Sequence, residues 1–293
     1  MTNHIPVREI KPTDENIQIL SNTFSIRELH PLTAKGDIIQ ALHRHNFYYI
    51  LIVKTGTGTH HIDFIKYVIG DYTVFFMVPG QVHELHLHKE STGYIIEFTA
   101  DLFADMPTKI PQLLGRMSNT NCYSFSKELF SALYAIIDAI FEEQHLKKDQ
   151  YLEVIKCNLH LLFIHLQRTS NLKENHNAPT NNLYRERYEE FTSLITANLC
   201  SNRQVSFYAA LLNLTAYQLN AITKTSTGKS ASEVINDYFI LEAKRYLLAT
   251  TLQVNEVAWK LGMEDVSYFI RYFKKRTTYS PENFRKTFSS KNL

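Results

Sequence analysis

The sequence predicts an α+β chain of two domains, with strands first and helices after. Three observations carry that prediction. Short apolar runs punctuated by glycine fill the stretch from about Phe24 to Ala100. A stretch rich in Asn, Ser, Thr and Lys occupies 170–182, and two similar helical units about fifty residues apart fill the C-terminal part. At 293 residues the chain is long enough for two separate cores.

In the first half, strands are expected at Phe47–Val53, Thr59–Ile65, Thr73–Val78, Glu84–His88 and Tyr94–Phe98. Gly56, Gly58, Gly70 and the pair Pro79-Gly80 separate them, as in a small antiparallel β-barrel. Gly56-Thr57-Gly58 reads as a hairpin turn rather than a phosphate loop. Alternation does not decide whether Tyr48, Ile50 and Ile52 or Tyr49, Leu51 and Val53 line the interior. Two helices should follow, at about 126–144 and 150–168. Their apolar residues (Leu129, Leu133, Ile136, Ile137, Ile140, then Leu152, Ile155, Leu159, Leu162, Phe163, Leu166) recur at helical spacing. Such a hairpin serves either as a dimer interface or as a layer packed on the sheet. The boundaries that follow are 1–169 for the first domain, 170–182 for a linker and 183–293 for the second domain.

The second domain is the more informative. Val254, Val257, Ala258 and Leu261 fall at i, i+3, i+4 and i+7, one face of a short helix, and Gly262 then supplies a residue that takes positive φ. The next helix buries Phe269, Tyr272 and Phe273 and turns Ser267, Arg271, Lys274 and Lys275 outward. Val205–Thr215 repeats the first part of this pattern, with Ala209 in the place of Ala258 and Asn213 in the place of Gly262. Further on, Leu219, Lys224, Thr227 and Ser230 repeat Phe269, Lys274, Thr277 and Ser280. Between the units, Ser230 and Glu233 read as a capping box opening a long helix to about Leu248. Ser280-Pro281 reads as an N-cap followed by proline at the first helical position. Each unit is thus a helix-turn-helix, whose second helix is shaped for a DNA major groove. The helix faces assign Val266, Ser267 and Arg271 to base edges and Lys274 and Lys275 to phosphates; Arg271 suits guanine. In the first unit the outward residues are Tyr217, Gln218, Asn220, Ala221 and Lys224, with Asn220 or Gln218 suited to adenine.

The run from Ala243 through Leu247-Leu248, Val254 to Ala258, Ser267 to Lys275 and Ser280-Pro281 to Arg285 resembles the AraC family of bacterial transcription regulators. Two positions depart from the family pattern: Met263 stands for the usual aromatic and Thr278 for the usual glycine. Met263 can fill the same core space; Thr278 implies a locally different helix end. His43-x-His45, followed by Pro79 to His83, resembles the cupin barrel that serves many such regulators as sensor. The resemblance implies an effector site at His43, His45, Tyr49 and His83. Metal-holding cupins add a glutamate where Tyr49 and Ile50 stand here, so no metal or other cofactor is expected. His60, His61, His83, His86 and His88 allow a pH-sensitive pocket but read first as a wet strand face.

Charge and cysteine usage fit this division. From Leu183 onward, 15 Lys and Arg stand against 10 Asp and Glu, a net +5; the chain totals of 31 and 29 leave 16 against 19, a net −3, for the rest. Cys122, Cys157 and Cys200 are odd in number and unclustered, so neither a disulfide framework nor a zinc finger is indicated. No apolar run is long enough to cross a bilayer, and the N-terminus lacks a signal-peptide core. The expectation is a cytoplasmic, non-enzymatic regulator that binds double-stranded DNA and a small-molecule effector. It should act as a homodimer without membrane attachment, and engage RNA polymerase if it activates. Two alternatives are a metal-dependent cupin enzyme with a fused helical domain and a regulator without effector.

Overall fold

The computed structural model describes residues 7–8, 10, 23–104, 109–117, 120–173 and 179–289. They form two compact units, one up to Lys173 and one from Pro179. Of the expected linker 170–182, residues 170–173 close one helix and 179–182 open the next, while 174–178 lie outside the described residues.

The first unit contains strands β1 (Val7–Arg8), β2 (Phe24–Glu28), β3 (Ile38–His45), β4 (Tyr48–Thr55), β5 (Gly58–Ile62), β6 (Ile65–Ile69), β7 (Thr73–Met77), β8 (Val82–Leu87), β9 (Thr92–Phe98) and β10 (Cys122–Ser124). Helix α1 (His30–Thr33) lies between β2 and β3, α2 (Lys109–Met117) precedes β10, and α3 (Lys127–Leu146) and α4 (Tyr151–Lys173) end the unit. The strands form two five-stranded sheets, ordered β1-β3-β8-β5-β6 and β10-β7-β4-β9-β2, antiparallel except for the β1–β3 pair. Among the described residues the strand pairing does not close into one continuous barrel, which refines the barrel expectation to two packed sheets.

Two local readings change. Gly56 to Gly58 is not a hairpin turn, because β4 pairs with β7 and β9 whereas β5 pairs with β6 and β8. The segment carries the chain from one sheet to the other, and a Cβ at Gly58 would come within 2.1 Å of the His86 carbonyl oxygen. The expected strand Thr59–Ile65 is instead the hairpin of β5 and β6. Its two turn residues, Asp63 (φ 46°) and Phe64 (φ 72°), both adopt positive φ, the geometry that matches the twist of the flanking strands.

The parity of β4 is now fixed. Tyr49, Leu51 and Val53 face Leu85, Leu87 and Ile62 of the other sheet, whereas Ile50 and Ile52 face α3 and α4. The sheet is covered on both sides, so β4 reads as an unbroken apolar run. The helical hairpin packs its stripe (Phe130, Leu133, Ile137 and Ile140 of α3; Ile155, Leu159, Leu162 and Phe163 of α4) onto that sheet. At roughly 1.5–3 kcal/mol for each fully buried large side chain, this layer is a main stabiliser of the unit. Leu129, at 55 % exposed, falls off the stripe. Ser126 caps α3 by accepting the Leu129 N–H, and Lys147 ends it in the left-handed conformation.

The second unit is all helical: α5 (Pro179–Asn198), α6 (Val205–Leu211), α7 (Ala216–Thr227), α8 (Ala231–Ala249), α9 (Val254–Lys260), α10 (Val266–Thr277) and α11 (Pro281–Ser289). The repeat seen in the sequence recurs in backbone detail. Asn213 (φ 54°) and Gly262 (φ 73°) make the same turn. Leu214 N–H donates to Ala209 O as Met263 N–H donates to Ala258 O, at 2.8 and 2.9 Å. Thr215 and Asp265 cap α7 and α10, and Ser230 and Ser280 stand at the starts of α8 and α11. Met263 is buried, as its size allows. The helix end at Thr278 is not different after all. Thr278 takes φ 66° and caps the Lys274 carbonyl, as Gly228 (φ 73°) caps that of Lys224.

Candidate functional site

The two helix-turn-helix units hold their second helices by small residues and tight turns. Ala258 is fully buried between α9 and its neighbours, and Ala209 nearly so in the first unit. Gly262 meets two requirements at once: positive φ, and an approach so close that a Cβ would lie 2.1 Å from the Cys200 carbonyl oxygen. Arg285 then ties α11 back, donating from Nε to Leu247 O (2.7 Å) and from a terminal nitrogen to Leu252 O (2.5 Å). Those acceptors flank the end of α8 and the loop into α9, so the arginine of the sequence motif is a structural clamp.

On α10, Phe269 and Phe273 are buried while Ser267, Arg271, Lys274 and Lys275 are exposed on the helix surface. Val266 is half-buried at the first turn, and Tyr272, expected in the core, is also half-buried. Arg276 places its guanidinium 5.8 Å from the Tyr272 ring centroid. The three basic residues of the last turn also face the negative end of the helix dipole, which favours them there without any ligand. Tyr268, 48 % exposed beside Ser267, is an outward residue that the sequence reading passed over.

On α7, Leu219, Ile222 and Thr223 are buried. Tyr217 is 84 % exposed, and Gln218 and Lys224 are exposed as well. Gln218 Oε1 accepts the Thr215 N–H at 2.8 Å within a capping box, so one end of this amide is committed to the helix start. Asn220 differs from expectation. It is half-buried, its Nδ2 donates to Ala216 O (3.0 Å), and its Oδ1 accepts the Ala231 N–H (2.9 Å) at the start of α8.

The first unit brings its candidate residues together at the facing sheets. His43 and His45 are two apart on β3 and both point inward; His83 on β8 lies directly across from His43. Tyr49 of the opposite sheet stacks parallel on His45, ring centroids 5.1 Å apart. Gln81 fixes the Pro79–His83 loop by accepting the Val78 N–H and donating to Asp63 at 2.7 Å. The expected wet face is therefore split by strand parity: His60 and His83 are fully buried, whereas His61, His86 and His88 lie on the outer face. His45 Nε2 and His83 Nε2 are 2.6 Å apart, and His83 Nδ1 lies 2.8 Å from His60 Nε2. Each contact needs one donor and one acceptor, so neutral His83 donates to one neighbour and accepts from the other. His43 Nδ1 donates to Ala41 O at 2.8 Å, because a carbonyl only accepts. Burial first, and then the positive charges available at His43 and His61, hold the His60 pKa down to about 3.

Ligand atoms of His43, His45 and His83 lie within 4.8 Å of one another, so three nitrogens are at hand for a divalent ion. Their closest pair, at 2.6 Å, has hydrogen-bond spacing. Adjacent ligands on a tetrahedral ion with bonds of about 2.0–2.1 Å sit roughly 3.3 Å apart. As placed, the set is a hydrogen-bonded imidazole cluster rather than a coordination sphere.

Comparison with known proteins agrees with both halves. A family described as the AraC-like ligand binding domain matches residues 34–154, and a helix-turn-helix domain family matches 208–287. The HTH-type transcriptional activator RhaS of Klebsiella pneumoniae (strain 342) is 24% identical over 252 residues, covering 83% of this chain and 86% of RhaS. RhaS of Escherichia coli O6:H1 is 23% identical over the same shares. Among solved structures, ToxT from Vibrio cholerae strain SCE256 with bound unsaturated fatty acid is 15% identical over 90% of this chain and 95% of that one, with a TM-score of 0.41.

Proposed function

We propose a working arrangement from one premise: the chain belongs to the AraC-type transcriptional regulators, with a ligand-binding half followed by a helix-turn-helix half. In this arrangement α10 and α7 enter successive major-groove segments of double-stranded DNA. The observation that carries it is the exposed face of α10, where Ser267, Arg271, Lys274 and Lys275 surround a core-facing pair of phenylalanines. Arg271 reads a guanine through O6 and N7, Val266 and Ser267 contact neighbouring base edges, and Lys274 and Lys275 neutralise phosphates. Tyr217, Gln218 and Lys224 make the contacts of the first unit. Asn220 positions α7 on α8 instead of reading a base.

The effector is a small molecule that contacts His43, His45, Tyr49 and His83. Four buried imidazoles beside a tyrosine offer donors and acceptors that an apolar core would not hold, which supports a polar ligand. The sensor half ends with α4 and the DNA-binding half begins with α5. The protein works as a homodimer in the cytoplasm, is not an enzyme, and contacts RNA polymerase if it activates as its RhaS relatives are named to do. Among the described residues no helix is long and apolar enough to cross a membrane.

Selection of bound fragments from a random DNA library tests the reading. The whole chain is expected to enrich a site of two short blocks about one helical turn apart. Lys274→Ala should weaken binding to all sequences and lower the salt slope by about 0.9. No enrichment in low salt, with or without candidate effectors, would refute DNA reading. Unchanged affinity across effectors would favour regulation without a ligand.

A further inference from the structure

Strand parity on β8 sends His83 inward and turns His86 and His88 to the opposite face of the sheet, away from the imidazole cluster. Ile38 pairs with Leu87, which brings Asp37, just ahead of β3, beside these two rings. Asp37 Oδ2 accepts from His86 Nε2 at 3.1 Å and from His88 Nδ1 at 3.2 Å. Its other oxygen accepts the Lys89 backbone N–H at 2.8 Å. The two rings are 4.7 Å apart, and the three side chains are 34–48 % exposed, set into the surface without being sealed.

We propose that Asp37, His86 and His88 form a surface site for a divalent transition-metal ion of the zinc class. Two imidazoles and one carboxylate make a ligand set suited to such ions. Their ligand atoms all lie within 4.8 Å of one another. Metal bonds of about 2.0–2.2 Å put neighbouring ligands of a tetrahedral ion roughly 3.3 Å apart. Two of the three separations, 3.1 and 3.2 Å, are close to that spacing, and the third pair lies within 4.8 Å. The ion binds the lone pair of each neutral ring in the tautomer that carries its single N–H on the far nitrogen, Nδ1 of His86 and Nε2 of His88, so no proton is left between ring and ion. The Lys89 N–H holds the carboxylate from behind, as an outer-shell partner should. The β3–β8 pairing holds His86 opposite Ile39, and Asp37 and His88 flank the Ile38–Leu87 pair at its end. The remaining coordination positions face solvent and take water.

Equilibrium dialysis of the full chain against Zn²⁺ at neutral pH tests the site, with His86→Gln/His88→Gln as one variant and the isosteric Asp37→Asn as another. Wild type is expected to bind an ion at micromolar concentration, and the double variant to bind one equivalent fewer. Asp37→Asn should weaken that equivalent at least tenfold. Retained binding would be accompanied by a rise in melting temperature that the double variant lacks. Equal ion counts and affinities in wild type and both variants would overturn the proposal by placing any metal elsewhere, the buried cluster included. Absence of binding below millimolar Zn²⁺ in wild type would overturn it outright.

Discussion

The side-chain oxygen of Asn220 accepts the backbone N–H of Ala231 at 2.9 Å, so a residue on the first recognition helix holds the start of the long connecting helix. Ala231 is fully buried, and removing its acceptor leaves an unpaired donor at the start of α8. Asn220→Ala should therefore cost about 1–2 kcal/mol in urea unfolding. The variant's selected DNA site should keep the same base preferences at lower affinity. A changed preference within one block would instead put Asn220 on a base.

Thr278 occupies the left-handed helix end that glycine fills at Gly228. A β-branched residue there is strained by about 1–2 kcal/mol, partly offset by the extra freedom glycine brings to the unfolded chain. Thr278→Gly is expected to stabilise the helical unit by about 1 kcal/mol. A loss of stability in thermal or urea unfolding would contradict the assignment.

Gly262 and Asn213 share a turn geometry but not a neighbourhood. Alanine at Asn213 meets only the left-handed penalty, whereas alanine at Gly262 also strikes the Cys200 carbonyl. Gly262→Ala should cost about 2 kcal/mol more than Asn213→Ala, and should reduce DNA binding with it. Equal costs would mean that Cys200 moves aside freely.

The helix-turn-helix pair was legible because its signals are local: cap residues, a positive-φ turn and helical apolar spacing all lie within each fifty-residue unit. The sensor half was legible only in outline. Asp63-Phe64 carries neither glycine nor asparagine, so the β5–β6 turn hid inside one apparent strand. The inward parity of Tyr49 depends on which face α3 and α4 cover, a fact of tertiary packing. His60 and His61 are adjacent in sequence and chemically identical, and only the sheet decides that one is buried and the other half-exposed on the outer face. Helical spacing places Asn220 outward, and its hydrogen-bond partner Ala231, eleven residues away on the next helix, is not visible to that spacing.

His60 gives a pH dependence with a definite sign. Its pKa of about 3 lies below the ordinary 6.5, so the unfolded chain takes up the proton first as the pH falls. This contribution to stability is lost as the pH drops from 6.5 toward 3, amounting to roughly 2 kcal/mol at pH 5. Melting temperatures measured at pH 7.5 and 5 should fall less in His60→Gln than in wild type. An equal fall would show that His60 is already charged or hydrated in the native state.

Arg271 on the exposed face of α10 carries the central claim that this helix reads bases in the major groove. Methylation interference on the selected site measures it most directly, since methylation of guanine N7 blocks the atom that arginine contacts. One guanine within one block should interfere with the wild-type chain and cease to do so with Arg271→Ala, whose preference for that base is lost at a cost of about 1–3 kcal/mol. The same interference pattern and base preference in both proteins would contradict the account.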